Sequence, residues 1–228
     1  MSSPDRGEVV IALTSDTGDI EDVLAEAGEV PLPPYIHEPL EDSDRYQTVF
    51  AKNLGSAAAP TAALHFSPQL VKAVRDHGIE LAEVDLEIGL DTFRPIATAT
   101  IGDHQIHREK WTMPAATAEA IAGTRERGGR VVAVGTTVVR TLESAATAGG
   151  LVDAGGGDTE LFIAPGYRLQ VVDMVLTNFH APRTTLIVMI AALLGERWRD
   201  VYAHAIAGGY RFLSFGDAML IEQPVNHR

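Results

Sequence analysis

Several side chains that could bind or transform a ligand lie at the points where a predicted strand is followed by a predicted helix. The clearest case is Gly135-Thr136-Thr137, which follows the apolar segment RVVAV and opens a helix. Free backbone N–H groups at a helix start attract a carboxylate or phosphate, and the two hydroxyls add donors. We therefore predict a binding turn for an anionic group, with an ordinary capped helix as the alternative. Arg140, on the same helix, joins this site or simply pairs with Glu143 on the surface.

A second polar turn, TNFHAPRTT, runs from a strand end into a helix over residues 177–185. Asn178 and His180 alternate around Phe179, so both could face one cleft. In open α/β folds, ligands bind at the carboxyl ends of the strands. We predict that Asn178 and His180 line a cleft, and a polar turn that only caps the helix is the alternative.

Two further segments carry histidines. In GDHQIHREK, His104 and His107 are near one face if the segment is helical, with Asp103 and Glu109 beside them. The HExxH zinc spacing is absent and no third ligand is obvious, so proton transfer or substrate contact is favoured over a metal or a surface turn. His65 precedes a helix start and could exchange protons near neutral pH. A structural histidine is an equally good interpretation of His65.

The elements that must position these groups alternate between strand and helix patterns. Helices are predicted over 19–27, from Ser67-Pro68 to Gly78, from Pro114 to Gly128-Gly129, and over 137–148, 184–194 and 199–207. Strands are predicted over 7–13, 84–89, 130–135, 160–166, 171–179 and 210–221. The prolines of PLPPYI (31–36) predict an extended junction between two parts of the chain. The alternation favours a mainly parallel α/β sheet or barrel.

Composition excludes several classes of protein. The 228 residues are 46% hydrophobic, enough for a core, and they contain no cysteine, which rules out disulfides and thiolate chemistry. A net charge of -13 argues against nucleic-acid binding, although the arginines later in the chain are compatible with a local basic face. The run LIVMIAALL is far shorter than the ~20 residues of a membrane span, and no signal peptide is evident. We expect a cytoplasmic protein with no membrane contact.

A set of segments in fixed order extends this interpretation. They cover roughly residues 28–221: GEVPLPPYI, DRYQTVFA, AAAPTAALHF, IGLDTFRPI, DHQIHRE, GGRVVAVGTTVVRTLESA, FIAPGY, TNFHAPRTTLIVMIAALLG and YRFLSFGDAMLI. In this order they resemble the S-adenosylmethionine:tRNA ribosyltransferase-isomerases of queuosine biosynthesis. Three positions depart from the family pattern: Ala63 stands in place of a glycine, and Glu87 and Asp91 add negative charge.

The resemblance implies a barrel-like α/β catalytic domain over 37–228, with residues 1–36 as the remnant of a small inserted β-barrel domain. It implies transfer and isomerisation of the ribosyl group of S-adenosylmethionine onto 7-aminomethyl-7-deazaguanine in tRNA. Epoxyqueuosine forms, while adenine and methionine leave. S-adenosylmethionine is then a co-substrate, no metal is needed, modified tRNA is the partner, and a monomer is expected. Family members carry a further N-terminal portion.

Such chemistry needs a base, a general acid for adenine and donors for the methionine carboxylate. With the resemblance in place, we assign proton transfer to the histidines and cofactor binding to a set of polar residues. The catalytic candidates are His65, His104, His107 and His180, and the cofactor-binding candidates are Gly135, Thr136, Thr137, Arg140, Asn178, Asp173 and Asp217. Two rival hypotheses are an inactive relative that binds S-adenosylmethionine or tRNA, and an unrelated small-molecule enzyme on a similar fold.

Overall fold

A computed structural model describes residues 12–16, 18–28, 31–38, 40, 42–52, 56, 58–89, 96–104, 106 and 108–222. The chain divides into two compact units, Met1–Leu32 and Pro33–Arg228. The first unit contains helix α1 (Ile20–Ala27), which begins where the Asp19 carboxylate accepts a hydrogen bond from the backbone of Glu21. This confirms the helix predicted over 19–27. Most of the strand predicted over 7–13 lies outside the described residues, and the division at residue 36 remains a prediction.

The second unit contains the remaining helices and all of the described strands. Its helices are α2 (Pro68–Asp76), α3 (Ala115–Glu126), α4 (Thr136–Ser144), α5 (Thr185–Leu194) and α6 (Trp198–Ala207). Its strands are β1 (Asp85–Glu87), β2 (Glu109–Met113), β3 (Val132–Val134), β4 (Ala146–Thr147), β5 (Leu151–Val152), β6 (Gly155–Thr159), β7 (Met174–Asn178) and β8 (Ala218–Ile221). Short 3-10 turns cover Ser43–Tyr46, Thr61–His65, Ile101–Asp103, Ala148–Gly150 and Gly195–Arg197.

The described strands form three small sheets, ordered β1-β2-β6, β3-β7-β8 and β4-β5. Only β3 and β7 pair in parallel within this part of the chain, and the other pairs are antiparallel. The mixed α/β class is confirmed, but the expected mainly parallel arrangement is wrong, and the described strands do not close into a barrel. An alternation of helices and strands does not determine which strands pair, because pairing direction depends on how the connections pack.

The strand prediction for residues 160–166 is also wrong. The neighbouring strand is β6, whose sequence GGGDT has no apolar pattern and pairs along its length with β2. The apolar side chain of Ile163 is buried to 1% exposure in the core although it belongs to no strand. Apolar residues in a buried loop therefore resemble a strand in the sequence. Helix α4 likewise ends at Ser144 rather than 148, and only Ala218–Ile221 of the segment 210–221 is a strand.

The main core lies around the parallel pair. Ala133 on β3, Val139 on α4, Val175 on β7 and Ile190 on α5 are fully buried in one cluster. Burial of each large aliphatic side chain stabilises the fold by roughly 1.5–3 kcal/mol. Because this packing and the β3–β7 register hold the two strands side by side, their carboxyl ends meet at one edge of the sheet.

Candidate functional site

A pocket opens where the carboxyl ends of β3 and β7 meet. The backbone N–H of Gly135 donates to the carbonyl of Leu176 over 2.8 Å, which places the start of α4 beside the end of β7. The lining residues are Tyr35, Ala59, Pro60, Thr61, Ala62, Ile88, Gly135, Thr136, Thr137, Thr177, Asn178, His180, Ala181, Thr184, Leu186, Leu213 and Ser214. The two polar turns predicted from the sequence therefore share one pocket.

The start of α4 presents donors to this pocket. Gly135 has φ +101°, a conformation that side chains other than hydrogen strongly disfavour, and it provides no side-chain cap. The first N–H groups of a helix have no partner within the helix. Thr136 and Thr137 are both 7% exposed, and neither hydroxyl has a hydrogen-bond partner among the described residues. Backbone and hydroxyl donors thus converge where an anionic group would fit.

Asn178 links the pocket to His65. The Asn178 amide nitrogen lies 3.0 Å from His65 Nε2, and its oxygen accepts from the Thr61 hydroxyl over 3.2 Å. In this orientation Nε2 accepts, so neutral His65 carries its proton on Nδ1. Burial lowers the pKa of His65, and the nearby Asp217 carboxylate opposes that shift. His65 does not itself line the pocket and reaches it through Asn178.

His180 faces the pocket directly. Its Nε2 lies 3.0 Å from the Thr177 hydroxyl, and its backbone N–H donates to the Tyr202 hydroxyl. Burial lowers the pKa of His180 to about 4. The imidazole is therefore neutral near pH 7 and can accept a hydrogen bond without first losing a charge.

A second, smaller cavity adjoins the pocket, because Thr136, Thr137 and Leu186 line both. Its wall contains the Arg140 guanidinium and the Glu109 carboxylate, which pair at 2.6 Å with side-chain exposures of 5% and 1%. The pairing of Arg140 with Glu143 on the surface is wrong, since Arg140 is buried against Glu109.

Glu143 has a different role. Its carboxylate accepts backbone N–H groups from Gln170, Val171 and Val172, all at 2.8–3.0 Å. This buried carboxylate fixes the loop that leads into β7. Arg140 therefore lines the second cavity, whereas Glu143 stabilises the loop that precedes β7.

Two of the predicted aspartates lie outside the pocket lining. Asp173 precedes β7 at the end opposite Asn178, where it pairs with Arg125 and accepts the Val131 N–H over 2.7 Å. Asp217 accepts the backbone N–H of Arg211 over 2.7 Å and acts electrostatically on His65. Direct contact of Asp173 with a ligand in this pocket has no structural support, because it is committed at the other end of the strand.

His104 is not brought into the pocket. The His104 ring packs against Phe162, with centroids 5.8 Å apart, and Phe162 lines the second cavity. His107 lies outside the described residues.

Among the described residues, no three His, Asp or Glu side chains group so that they could hold a metal ion. Over the same residues, no helix is long and apolar enough to cross a membrane.

Several pocket residues carry no signal in sequence spacing. Tyr35 and Ser214 contact each other across the chain, and Thr61 and Thr177 bond the two central polar side chains. Membership in the segments PLPPYI and YRFLSFGDAMLI is the one sequence feature that points to Tyr35 and Ser214. Their placement depends on contacts between distant residues.

The fold and the site define a mixed α/β protein with a pocket, lined by both apolar and polar side chains, at the carboxyl ends of its parallel strands. The chain belongs to the queuosine biosynthesis protein family, whose family model matches residues 1–221.

Curated relatives and a solved structure agree with this assignment. The chain is 51% identical over 216 residues to an S-adenosylmethionine:tRNA ribosyltransferase-isomerase of Moorella thermoacetica, covering 94% of this chain and 63% of the relative. It is 55% identical over 205 residues to one of Pelotomaculum thermopropionicum, covering 90% and 60%. The crystal structure of S-adenosylmethionine tRNA ribosyltransferase from Thermotoga maritima is similar with a TM-score of 0.58 and 41% identity, over 70% of this chain and 50% of that one. The chain thus spans about 60% of the length of curated relatives.

Proposed function

We propose that this chain transfers and isomerises the ribosyl group of S-adenosylmethionine onto 7-aminomethyl-7-deazaguanine in tRNA. Epoxyqueuosine would form, and adenine and methionine would leave. The family and the names of the relatives support the reaction type. The observation that carries the proposal is the shared pocket of the α4 start, Asn178 and His180.

The α4 start suits the methionine carboxylate. Donors at a helix N-terminus and the helix dipole both favour a negative charge. The hydroxyls of Thr136 and Thr137, which no described residue engages, add directional donors at the same place. Arg140 would act indirectly, by holding α4 in place, because its guanidinium is already paired with Glu109.

The histidines suit proton transfer near the sugar. The sulfonium acidifies the adjacent ribose carbon, so a neutral base next to it could remove a proton. His180 is the described histidine that lines the pocket, and burial keeps it neutral. His65 would follow as a second proton-transfer group, held by Asn178. His104 and His107 would be further proton-transfer groups, and Asp217, which acts electrostatically on His65, would pair with a cationic group of the cofactor or substrate.

The remaining assignments belong to the same proposal. S-adenosylmethionine is a co-substrate, the partner is tRNA with the modified wobble base, and the reaction needs no metal. Residues 1–36 would be the remnant of a small inserted β-barrel domain and 37–228 the barrel-like catalytic domain. The protein would act in the cytoplasm as a monomer.

Adenine release tests the proposal. The chain is incubated with S-adenosylmethionine and tRNA that carries 7-aminomethyl-7-deazaguanine, and adenine is quantified by chromatography. Adenine should appear with modified tRNA and stay at background with the same tRNA bearing guanine. Binding of S-adenosylmethionine without adenine release would select the inactive relative, and absence of binding would overturn both functions.

A further inference from the structure

The hydroxyls of Tyr35 and Ser214 lie at one wall of the pocket and the Tyr46 hydroxyl lies near them, and we call the three the hydroxyl cluster. The Tyr35 and Ser214 oxygens are 2.8 Å apart, and both residues line the pocket. The Tyr46 side chain is 3% exposed, and its hydroxyl has no well-aligned hydrogen-bond partner in the described part of the chain. Ser214 and Tyr35 are nonetheless close enough to influence its pKa.

The loop that carries Ser214 is rigidly built. Leu213 has φ +71°, an uncommon conformation for a residue with a side chain, and its N–H donates to the Phe179 carbonyl over 2.9 Å. A Cβ on Gly216 would lie 2.4 Å from the Arg211 carbonyl oxygen, so this position requires glycine. Strained backbone persists where the surroundings determine it closely, and it concentrates at ligand-binding sites. Ser214 is therefore presented in a fixed position.

The Tyr46 hydroxyl has hydrogen-bonding capacity that the described residues leave unused. Buried polar groups in folded proteins are nearly always hydrogen-bonded, so the Tyr46 hydroxyl indicates an incomplete network. Burial raises the pKa of Tyr35 and of Tyr46, so both phenols remain neutral at physiological pH. Neutral hydroxyls both donate and accept. These properties suit a neutral group with hydroxyls of its own better than an anion.

The cluster and the α4 start flank the central strand from opposite sides. Ser214 lies in the loop leading into β8, which pairs with one edge of β7, and Thr136 follows β3, which pairs with the other edge. A ligand with an anionic end at α4 would therefore extend across the end of β7 toward the hydroxyl cluster.

We propose that the hydroxyl cluster binds the ribose hydroxyls of a nucleoside whose anionic substituent is held at the start of α4. This inference rests on the proposed function and adds to it a separate recognition site for the sugar. Tyr35 and Ser214, which line the pocket, would contact the ribose.

Binding of two half-ligands to the 228-residue chain tests the inference by calorimetry. 5′-Methylthioadenosine carries the nucleoside without the amino acid, and methionine carries the anionic end without the sugar. Ser214→Ala and Tyr35→Phe should each weaken 5′-methylthioadenosine binding about tenfold, since each removes a hydroxyl that would bind the ribose, and should leave methionine binding unchanged. Tyr210→Phe is the matched control, because Tyr210 is 47% exposed and outside the pocket lining.

A ligand variant supplies a test that is independent of folding. The wild-type chain should bind the 2′,3′-dideoxy form of 5′-methylthioadenosine at least tenfold more weakly than the parent, and Ser214→Ala should bind the two with more nearly equal affinity. Equal affinities of the wild type for both nucleosides would overturn the inference, even if a variant fails to fold. If the wild type binds both half-ligands and the substitutions change neither, only the inference fails. If the wild type binds neither half-ligand, the proposed function fails as well.

Discussion

The amide nitrogen of Asn178 lies 3.0 Å from Nε2 of His65, although 113 positions separate the two residues in the chain. The contact joins the end of β7 to the 3-10 turn Thr61–His65. Because the amide donates, it favours the neutral imidazole with its proton on Nδ1. The protonation state of His65 thus depends on a side chain that lines the pocket.

Replacing Asn178 with aspartate should reverse this preference. A carboxylate next to Nε2 favours the charged imidazolium, so the pKa of His65, which burial lowers in the native chain, should rise. NMR titration of the His65 ring resonances measures the shift. Thr61→Val is the matched control, because it removes the other partner of Asn178 without adding a charge. An unchanged His65 titration in Asn178→Asp would show that the amide contact does not control this histidine.

His180 should make stability depend on pH. Its pKa is about 4 in the folded chain and near 6.5 when unfolded, so the unfolded state binds the proton more tightly. The contribution of neutral His180 to the free energy of unfolding is fully present above about pH 6.5 and is lost as the pH falls toward 4. The free energy of unfolding should therefore be smaller by on the order of 2 kcal/mol at pH 5 than at pH 7.5. Urea unfolding at both pH values should show that His180→Gln removes this difference. His204→Gln, at an exposed position of α6, should retain it.

Breaking the buried Arg140–Glu109 ion pair, which lines the second cavity, should destabilise the fold strongly. Arg140→Met or Glu109→Gln leaves an uncompensated buried group, which costs about 3–5 kcal/mol in comparable pairs. Chemical denaturation measures the loss. Lys72→Met, which breaks an exposed pair with Asp76, should have little effect on the free energy of unfolding. Similar losses for Arg140→Met and Lys72→Met would contradict the structural role of the buried pair.

Adding a side chain at Gly135 should destabilise the fold because of the backbone conformation there, not because space is lacking. A Cβ there would lie 3.7 Å from the Ala62 Cβ, an ordinary contact, but φ is +101°. Gly135→Ala should destabilise the chain by about 1–3 kcal/mol and weaken S-adenosylmethionine binding by moving the α4 start. Thermal unfolding and calorimetry give the two values. Gly102→Ala is the control, since that glycine has an ordinary φ and open space; equal behaviour of both variants would contradict the prediction.

Thr137 should contribute to anion binding. Thr137→Val keeps the shape of the side chain but removes the hydroxyl donor, and it should weaken binding of methionine to the chain about tenfold. Calorimetry with methionine measures the effect, and Thr147→Val on β4 controls for the loss of a threonine elsewhere. Undiminished methionine affinity in Thr137→Val would place the anionic group away from the α4 start.

Local patterns were enough to predict many elements and part of the site. Ser67 and Pro68 mark the start of α2, where the Ser67 hydroxyl accepts the Leu70 N–H. The apolar run after residue 130 and the one before Asn178 correspond to β3 and β7. Because both strands end in polar turns, the sequence alone placed Asn178, His180 and Thr136 at the carboxyl ends of strands, where we predict a ligand site. These features depend on residues within a few positions of one another.

Tertiary structure decided which of these groups meet. Tyr35 and Ser214 are 179 positions apart, and nothing in their spacing predicts a contact. Arg140 is paired with Glu109 rather than Glu143, and β6 is a strand because β2 lies beside it, despite its glycine-rich sequence. The physical reason is that periodicity along the chain records which side of an element is buried. Strand pairing, ion-pair partners and pocket walls depend instead on packing between elements that are distant in the sequence.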